Sequence, residues 1–294
     1  MHAVDEFLFC KADLPCYGKE WYYFVLSPNK GEQAVYWLLR SQMKTQGSAH
    51  KEIDSAWFYK NQTLTELGRA PSHMKTAKGI RISNDARTFE LRGSYPHYAI
   101  RLTHEGSVLL EGRTKQAYAK SAELSNSRVL AFNTRVYNDV LNFSGTFLED
   151  NVESHIIIQK AVVNGPFLPW RWSRLSFEDG SVLGFSKIPI PKLKRDFANY
   201  AYFYDATDYK THDLGCVSVE QSPKQWQIQS KNLELILEPY AKQLTTFEAR
   251  GSFSYEVNLV RTKEVLIKNR TITRSTRDLG TGYGPFENAN GFVL

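Results

Sequence analysis

The sequence lacks the short motifs by which most catalytic chemistries are recognised. It contains no phosphate-binding glycine loop, no Gly-x-Ser-x-Gly, no His-Glu-x-x-His and no Cys-x-x-Cys. The glycine-rich segment at 280–285 has no helical pattern after it, so it predicts a turn rather than a phosphate site. The seven histidines show no ligand spacing. We therefore expect neither a metal site nor a cofactor, and chemistry would have to come from isolated side chains.

Cysteine and long apolar runs are also scarce. Cys10, Cys16 and Cys216 form neither a disulfide framework nor a metal-ligand spacing, which indicates reduced thiols in a cytoplasmic protein. The first residues show no basic stretch followed by an apolar one, and no run approaches the roughly 18 apolar residues of a membrane span. We expect no stable membrane insertion.

The net charge of +6 is not concentrated in any one stretch. Its densest basic cluster is Lys187, Lys192, Lys194 and Arg195, in a segment whose prolines predict a solvated loop. We therefore expect no nucleic-acid partner. A structural or nucleic-acid-binding protein remains a hypothesis that the charge alone motivates.

Aromatic residues are abundant, with 17 Phe, 16 Tyr and 6 Trp making up 13% of the chain. Strands favour such residues, as do pockets for flat apolar ligands. Short alternating segments also recur about every ten residues, as antiparallel sandwiches and barrels require. Of two ambiguous segments, we predict a strand at 34–39 despite a helical stripe, and a short helix at 115–125 because alanines are frequent there.

The chain reads as two related halves. In the second, an aromatic hairpin at 170–185 turns at Asp179-Gly180, a strong hairpin signal. A similar aromatic strand and glycine-containing turn occupy 20–31, and Asn-Gly-Pro at 164–166 marks a boundary. We predict an N-terminal unit at 1–164 and a C-terminal unit at 165–294, both all-β.

Four segments together resemble the lipocalin-like carotenoid 1,2-hydratase superfamily. They are Glu-Trp-Tyr-Tyr-Phe at 20–24, the segment 133–146, the stretch 170–180, and Gly-Thr-Gly-Tyr-Gly at 280–284. The resemblance implies two consecutive lipocalin-like antiparallel β-barrels with a ligand pocket at their junction. It also implies an apolar substrate and no redox cofactor, because its members hydrate carotenoid or isoflavonoid double bonds or cyclise linear polyenes by Diels-Alder reactions.

One departure from the family bears on the reaction. Members carry an Asp-His-Glu-Trp-Gly-like motif before the second barrel, whereas the corresponding segment 155–165 here lacks both the acidic and the imidazole groups, and His155 falls too early to replace them. Adding water to an alkene begins with proton donation by a strong acid, so hydration is disfavoured. A cyclase needs less, since holding a reactive conformer and polarising a carbonyl can supply much of the acceleration.

The function that we predict is a cofactor-independent cyclase or isomerase acting on a small hydrophobic polyene, terpenoid or polyketide. The alternatives are a hydratase of an isoprenoid double bond and a non-catalytic carrier of a hydrophobic ligand. The oligomeric state stays open. The predicted substrate-binding residues are Trp21, Tyr23, Trp170, Trp172, Tyr200 and Tyr202.

The predicted catalytic residues are Gln159, Lys160, Tyr204 and Asp205. Gln159, Lys160 or a tyrosine hydroxyl would act as hydrogen-bond donor, although Gln159 and Lys160 face opposite ways and solvent is the expected place for Lys160. Alternatively, Asp205 would start a cyclisation as acid, with the tryptophans stabilising a cation by their π faces. An aspartate at a strand end is also a common turn residue.

Overall fold

The computed structural model describes most of the chain and divides it into two compact units. The units are Met1–Ser27 with Gln33–Gly165, and Pro28–Glu32 with Pro166–Leu294. The described residues are 18–28, 32, 34–42, 51–71, 73–75, 79–116, 122–129, 132–164, 168–190, 195–249 and 251–291. Cys10, Cys16, Lys192 and Lys194 lie outside these ranges, and Cys216 is a free, exposed cysteine.

The first unit is a single antiparallel sheet of twelve strands. In order of pairing it runs β4-β3-β2-β1-β12-β11-β9-β8-β7-β6-β5, with β10 paired to β11. The strands are β1 Gly18–Pro28, β2 Ala34–Gln42, β3 Lys51–Lys60, β4 Thr63–Pro71, β5 His73–Lys75, β6 Gly79–Ser83, β7 Arg87–Ser94, β8 His97–His104, β9 Ser107–Gln116, β10 Ala122–Val129, β11 Phe132–Phe147 and β12 Asp150–Asn164.

The second unit is an antiparallel sheet of ten strands with one short helix. Its order is β16-β15-β14-β13-β22-β20-β19-β18-β17, with β21 paired to β20. The elements are β13 Trp170–Ser176, β14 Val182–Pro189, β15 Asp196–Asp205, β16 Lys210–Gly215, β17 Ser218–Gln221, β18 Trp226–Ser230, β19 Leu233–Ala249, β20 Gly251–Lys268, β21 Thr273–Ser275, α1 Thr276–Leu279 and β22 Tyr283–Gly291.

Each sheet curls around an apolar core of its own, because alternate residues of successive strands turn to the same side. In the first unit this side carries Tyr22, Phe24, Ile156 and Ile158. In the second unit it carries odd-numbered residues of three neighbouring strands, among them Leu175, Phe185 and Phe203. Among the described strands no pairing joins β4 to β5 or β16 to β17, so each sheet is a curled half-barrel.

The all-β class and the two consecutive lipocalin-like sheets are confirmed. The strand at 34–39 is confirmed as part of β2, and the hairpin at Asp179-Gly180 joins β13 to β14. The ligand pocket expected at the junction stays a prediction. No described helix has the length and apolar character that crossing a membrane requires.

Three local predictions are wrong. The sequence predicts a helix at 115–125, but residues 115–116 belong to β9 and residues 122–125 belong to β10. There sheet pairing overrides the helical preference of the sequence. The turn at 280–285 gives way from Tyr283 onwards to β22, which lies between β13 and β20. Lys187, expected in a loop, lies in β14 opposite Arg171 of β13.

Candidate functional site

The candidate site lies on the second unit's sheet, on the face opposite to its core. Even-numbered residues of β13, β14 and β15 turn to this side, because their odd-numbered neighbours belong to the core. Cross-strand pairing sets Trp172 beside Ser186, Ser186 beside Tyr200, and Trp172 beside Glu287 of β22. We call it the aromatic face; its members are Trp170, Trp172, Arg174, Ser176, Gly184, Ser186, Tyr200, Tyr202, Tyr204 and Glu287.

The centre of the aromatic face is a contact between Arg174 and Tyr202. Gly184 of β14 pairs with Arg174 on one side and with Tyr202 on the other, so two strands that are not neighbours meet across a glycine. The Arg174 guanidinium carbon is 5.6 Å from the Tyr202 ring centroid. A Cβ at position 184 would lie 2.5 Å from the Tyr202 Cζ and hydroxyl, so the ring occupies the space that a side chain would need.

An aromatic group and a carboxylate flank this centre. The Trp170 indole Nε1–H donates a hydrogen bond to Glu287 Oε2 at 2.8 Å. The Trp170 ring packs against Phe253 and Tyr255 of β20, with centroids 5.3 and 5.6 Å away. The hydrogen bond fixes the orientation of an indole that is itself only half-buried, so Trp170 offers an ordered apolar wall.

Burial keeps the tyrosines of this face in their neutral form. Desolvation raises the pKa of Tyr200 far above its usual value, and Tyr202 adds to that rise while Arg174 and a hydrogen bond with Ser186 oppose it. Desolvation also raises the pKa of Tyr202, against the lowering effect of Arg174. It raises the pKa of Tyr204 as well, with a smaller contribution from Tyr209. These phenols are therefore hydrogen-bond donors and not proton donors at neutral pH.

Arg174 has hydrogen-bonding capacity to spare. Its side chain is buried, and its Nε makes no hydrogen bond with any residue that the structure describes. The Ser176 hydroxyl, also buried, makes none within the same described ranges. A guanidinium carries five N–H donors and stays charged, so it can polarise a carbonyl or hold an anionic oxygen. The aromatic face combines that donor with flat apolar walls.

The predicted second-unit residues separate into two groups. Trp170, Trp172, Tyr200, Tyr202 and Tyr204 come together on the aromatic face. Asp205 ends β15 with its side chain fully buried, where its Oδ1 accepts from the Thr207 amide (2.8 Å) and its Oδ2 lies 2.7 Å from Arg274 Nη2. The structure therefore gives Asp205 the partners of a turn residue.

The predicted first-unit residues lie on both faces of β1 and β12. The Trp21 indole N–H donates to Gln159 Oε1 at 3.1 Å, and Tyr23 on the same side of β1 is buried. Lys160 lies on the core side, with Nζ 3.3 Å from Glu20 Oε1 and 5.7 Å from the Tyr22 ring centroid. Its side chain is 2% exposed, so the expectation that Lys160 is solvated is wrong. The buried carboxylate of Glu20 is the reason.

His155 begins the segment where the superfamily carries its acidic motif. It is buried in β12, and desolvation lowers its pKa to about 4. Its imidazole is therefore neutral at physiological pH and cannot serve as a proton donor of the imidazolium type.

A cleft of about 340 Å³ lies elsewhere in the second unit, beside the β17–β18 turn. Trp226, Tyr240, Lys242, Glu256 and Asn258 contribute to its walls. None of the predicted site residues and no member of the aromatic face lines it.

Sequence reasoning missed Arg174, Ser186 and Glu287. Arg174 follows Trp170 and Trp172 at intervals of two, so strand alternation alone could have placed it with them. Ser186 needed the pairing of β13, β14 and β15. No pattern in the sequence places Glu287 in a strand, because the glycine-rich segment before it predicts a turn.

Solved structures of low sequence identity share this fold. An AttH candidate from Nitrosomonas europaea is 14% identical with a TM-score of 0.58, and the match covers 93% of this chain and 92% of that one. Kievitone hydratase from Nectria haematococca is 10% identical with a TM-score of 0.54, over 92% and 88%. CghA, solved with Sch210972, is 7% identical with a TM-score of 0.53, over 92% and 87%.

No protein-family model matches the sequence, and no curated protein matches it. The structural matches are at identities that show the fold alone. That fold is the one that the resemblance implies, so the predicted architecture is confirmed.

Proposed function

We propose that this chain, with a fold shared by a hydratase and by CghA, is a cofactor-independent cyclase or isomerase of an apolar polyene, terpenoid or polyketide. The observation that carries the proposal is the contact of Arg174 with Tyr202 on a buried face walled by Trp170 and Trp172. The reaction that suits this face is an intramolecular Diels-Alder cyclisation, in which two carbon–carbon σ bonds form from π bonds of one substrate and no atom leaves.

The aromatic walls would select the reactive shape of the substrate. A linear polyene in water samples many conformers, and restricting it to the one in which diene and alkene approach each other removes most of the entropic barrier. Trp170 is held for this by Glu287 and by two ring contacts. Flat side chains also lose little conformational entropy when a ligand packs against them.

Arg174 would supply the electronic contribution. Its Nε–H, together with the hydroxyls of Tyr200 and Tyr202, offers donors to a carbonyl conjugated with the alkene. Hydrogen bonds to that oxygen withdraw electron density from the alkene and make it a better partner for the diene. Preorganised donors away from water act more strongly than donors in solvent. In this scheme Gln159, Lys160 and Asp205 have structural partners, and Tyr204 is a wall residue.

Hydration would need Glu287, the carboxyl group of this face, as its acid, whereas in the structure Glu287 Oε2 accepts a hydrogen bond from the Trp170 indole N–H at 2.8 Å. Protonating an alkene requires a strong acid, whereas the pKa values of Tyr200 and Tyr202 are raised and that of His155 is lowered by burial. Because kievitone hydratase has the same fold, hydration is nevertheless the alternative that the assay must separate from cyclisation.

The test uses a panel of linear polyenes that carry a conjugated carbonyl, with product mass and ultraviolet absorption as readouts. Cyclisation gives a product of unchanged mass that has lost conjugation, whereas hydration adds one water. Recovery of the polyene bound but unchanged would identify a carrier. Arg174→Met should lower turnover by about a hundredfold, the usual effect of removing one preorganised donor.

The matched control is Arg270→Met, which removes an equal charge from an exposed position in the same unit. It should leave turnover unchanged. Full turnover in Arg174→Met, or failure of the whole panel to quench tryptophan fluorescence or to react, would remove the aromatic face as the site.

A further inference from the structure

The hairpin between β15 and β16 gathers three metal-ligand side chains that the proposed function does not use. Asp205 ends β15, Asp208 lies in the turn, and His212 lies in β16 opposite Phe203. One ligand atom of each lies within 4.8 Å of the other two. The sequence predicts no metal site, because its histidines show no ligand spacing; these three residues become neighbours only through the turn.

The turn itself orients both carboxylates. Asp205 Oδ1 accepts from the Thr207 amide at 2.8 Å, and Asp208 Oδ1 accepts from the Lys210 amide at 3.0 Å. Tyr209, between Asp208 and Lys210, adopts a left-handed backbone with φ of 57°. Each aspartate thus has its Oδ1 tied to the backbone, whereas Asp208 Oδ2 lies towards His212 and Asp205 Oδ2 contacts Arg274.

His212 supplies the independent sign that a ligand belongs here. Its side chain is 9% exposed, and its Nε2 makes no hydrogen bond with any residue in the described ranges. Nε2 lies 3.7 Å from Asp208 Oδ2, too far for a hydrogen bond, while Nδ1 lies 3.5 Å from Thr271 Oγ1. A buried ring nitrogen directed at carboxylate oxygens, with the other nitrogen near a hydroxyl, is the arrangement of metal-binding histidines.

The charges around the cluster favour a cation. Asp205 and Asp208 bring two negative charges, and Arg274 opposes them through its contact with Asp205 Oδ2 at 2.7 Å. Arg274 is 28% exposed, so its guanidinium can turn outward when a stronger cation arrives. Asp208, 34% exposed, gives an ion access from solvent.

We propose that Asp205, Asp208 and His212 form a binding site for a divalent transition-metal ion of the Zn²⁺ class. One imidazole and two carboxylates match the donors that Zn²⁺ accepts, and a water would complete four ligands. Because the three ligands come from both strands and the turn, the ion ties the hairpin closed and stabilises the folded chain. None of the three ligands belongs to the aromatic face, so the inference does not depend on the proposed function.

The test is titration of the full chain, without a polyhistidine tag, with ZnCl2 in a non-coordinating buffer. Calorimetry should show one saturable site per chain, and Tm should rise with the Zn²⁺ concentration. Co²⁺ should give visible absorption bands that Zn²⁺ abolishes. His212→Gln and Asp208→Asn should each weaken binding by at least about tenfold, because losing even a residue that only supports a ligand usually costs about 10–100-fold in metal affinity. His97→Gln, at an exposed histidine of the first unit, should bind as the wild type does.

Arg274→Met should change the Zn²⁺ affinity in the opposite direction to the ligand variants. If Arg274 competes with the ion for Asp205, its removal should tighten Zn²⁺ binding while lowering the Tm of the metal-free chain. The inference is overturned if the wild type shows no saturable site, or if binding survives unchanged in both His212→Gln and Asp208→Asn. It is also overturned if His97→Gln loses binding equally or if Arg274→Met weakens it. Asp208 is partly exposed, so that variant keeps the test valid even if His212→Gln fails to fold.

Discussion

Arg174 and Tyr202 meet across Gly184, although their strands are not neighbours in the sheet. The guanidinium carbon of one lies 5.6 Å from the ring centroid of the other, and the middle strand contributes no side chain between them. Neighbouring strands are about 4.8 Å apart, so any larger residue at the middle position would separate the two groups. The glycine is therefore part of the site.

Gly184→Ala should destabilise the fold by about 1–3 kcal/mol, the usual cost of overpacking. The new Cβ would lie 2.5 Å from the Tyr202 ring, so ring or backbone must shift. Urea denaturation gives the free energy of unfolding. In a Tyr202→Ala background the same substitution should be neutral or slightly stabilising, because a strand glycine is removed without a clash. Equal costs in both backgrounds would show that the clash is not with Tyr202.

Arg174→Lys should have a lower turnover than the wild type. Lysine keeps the charge but lacks the Nε–H and the planar set of donors, so kcat/KM for a responsive polyene should fall at least about tenfold. Steady-state kinetics measure this. Arg171→Lys is the control. Arg171 lies three residues before Arg174 in the same strand and turns to the other face of the sheet, where it donates to Asn290 Oδ1 at 2.8 Å. Wild-type kinetics in Arg174→Lys would mean that positive charge alone suffices.

Breaking the buried pair of Lys160 and Glu20 should be costly. Lys160→Met or Glu20→Gln alone should lower the free energy of unfolding by about 3–5 kcal/mol, because each leaves a buried charge unbalanced. Changing both residues to methionine should recover most of that loss. Lys242→Met is the surface control: its pair with Glu256 is half-exposed at the lysine and should contribute less than about 1 kcal/mol. Urea denaturation measures the free energy of unfolding. Equal losses in the two single variants, the double methionine variant and Lys242→Met would contradict this account.

His155 should make stability fall as the pH falls from about 6.5 to about 4. Burial lowers its folded-state pKa to about 4, whereas the unfolded chain titrates near 6.5. Between these values the unfolded state binds more protons, so the free energy of unfolding rises with pH and the contribution is complete above 6.5. Over this pH range the free energy of unfolding changes by about 3 kcal/mol at most through His155.

Urea denaturation at several pH values checks this dependence. His155→Phe should flatten the slope between pH 4 and 6.5, whereas His97→Gln should leave it as in the wild type, since His97 is exposed. An unchanged slope in His155→Phe would assign the pH dependence to other groups.

Alternation in the sequence predicted the strands whose own residues favour a sheet. The segment at 253–259 carries apolar residues at every second position, the segment at 21–26 is a continuous aromatic and aliphatic run, and both lie in strands. β22 could not be predicted in this way, because Gly284, Pro285 and two asparagines within it disfavour strands. It exists because β13 and β20 provide hydrogen-bonding partners on both sides, and that information is spread over more than a hundred residues.

The sequence predicted which site residues share a face of one strand, but not which strands bring them together. Strand alternation grouped Trp170 with Trp172, and Tyr200 with Tyr202, but only the pairing through β14 shows that the two groups share a face. Lys160 shows the same limit. Its partner Glu20 lies 140 residues earlier in the chain, so nothing local distinguished a buried lysine from a solvated one.

The position of β22 also constrains how the protein is made. Until the ribosome has released this strand, the second sheet stays in two pieces, one ending at β13 and the other at β20. Each piece then presents an unpaired edge with aromatic side chains beside it, which is the kind of surface that nascent chains use to aggregate. Gly284 makes the late insertion possible, since a Cβ there would lie 2.0 Å from the Arg174 carbonyl oxygen. Chaperones that shield nascent strands should therefore be needed most between the synthesis of β20 and that of β22.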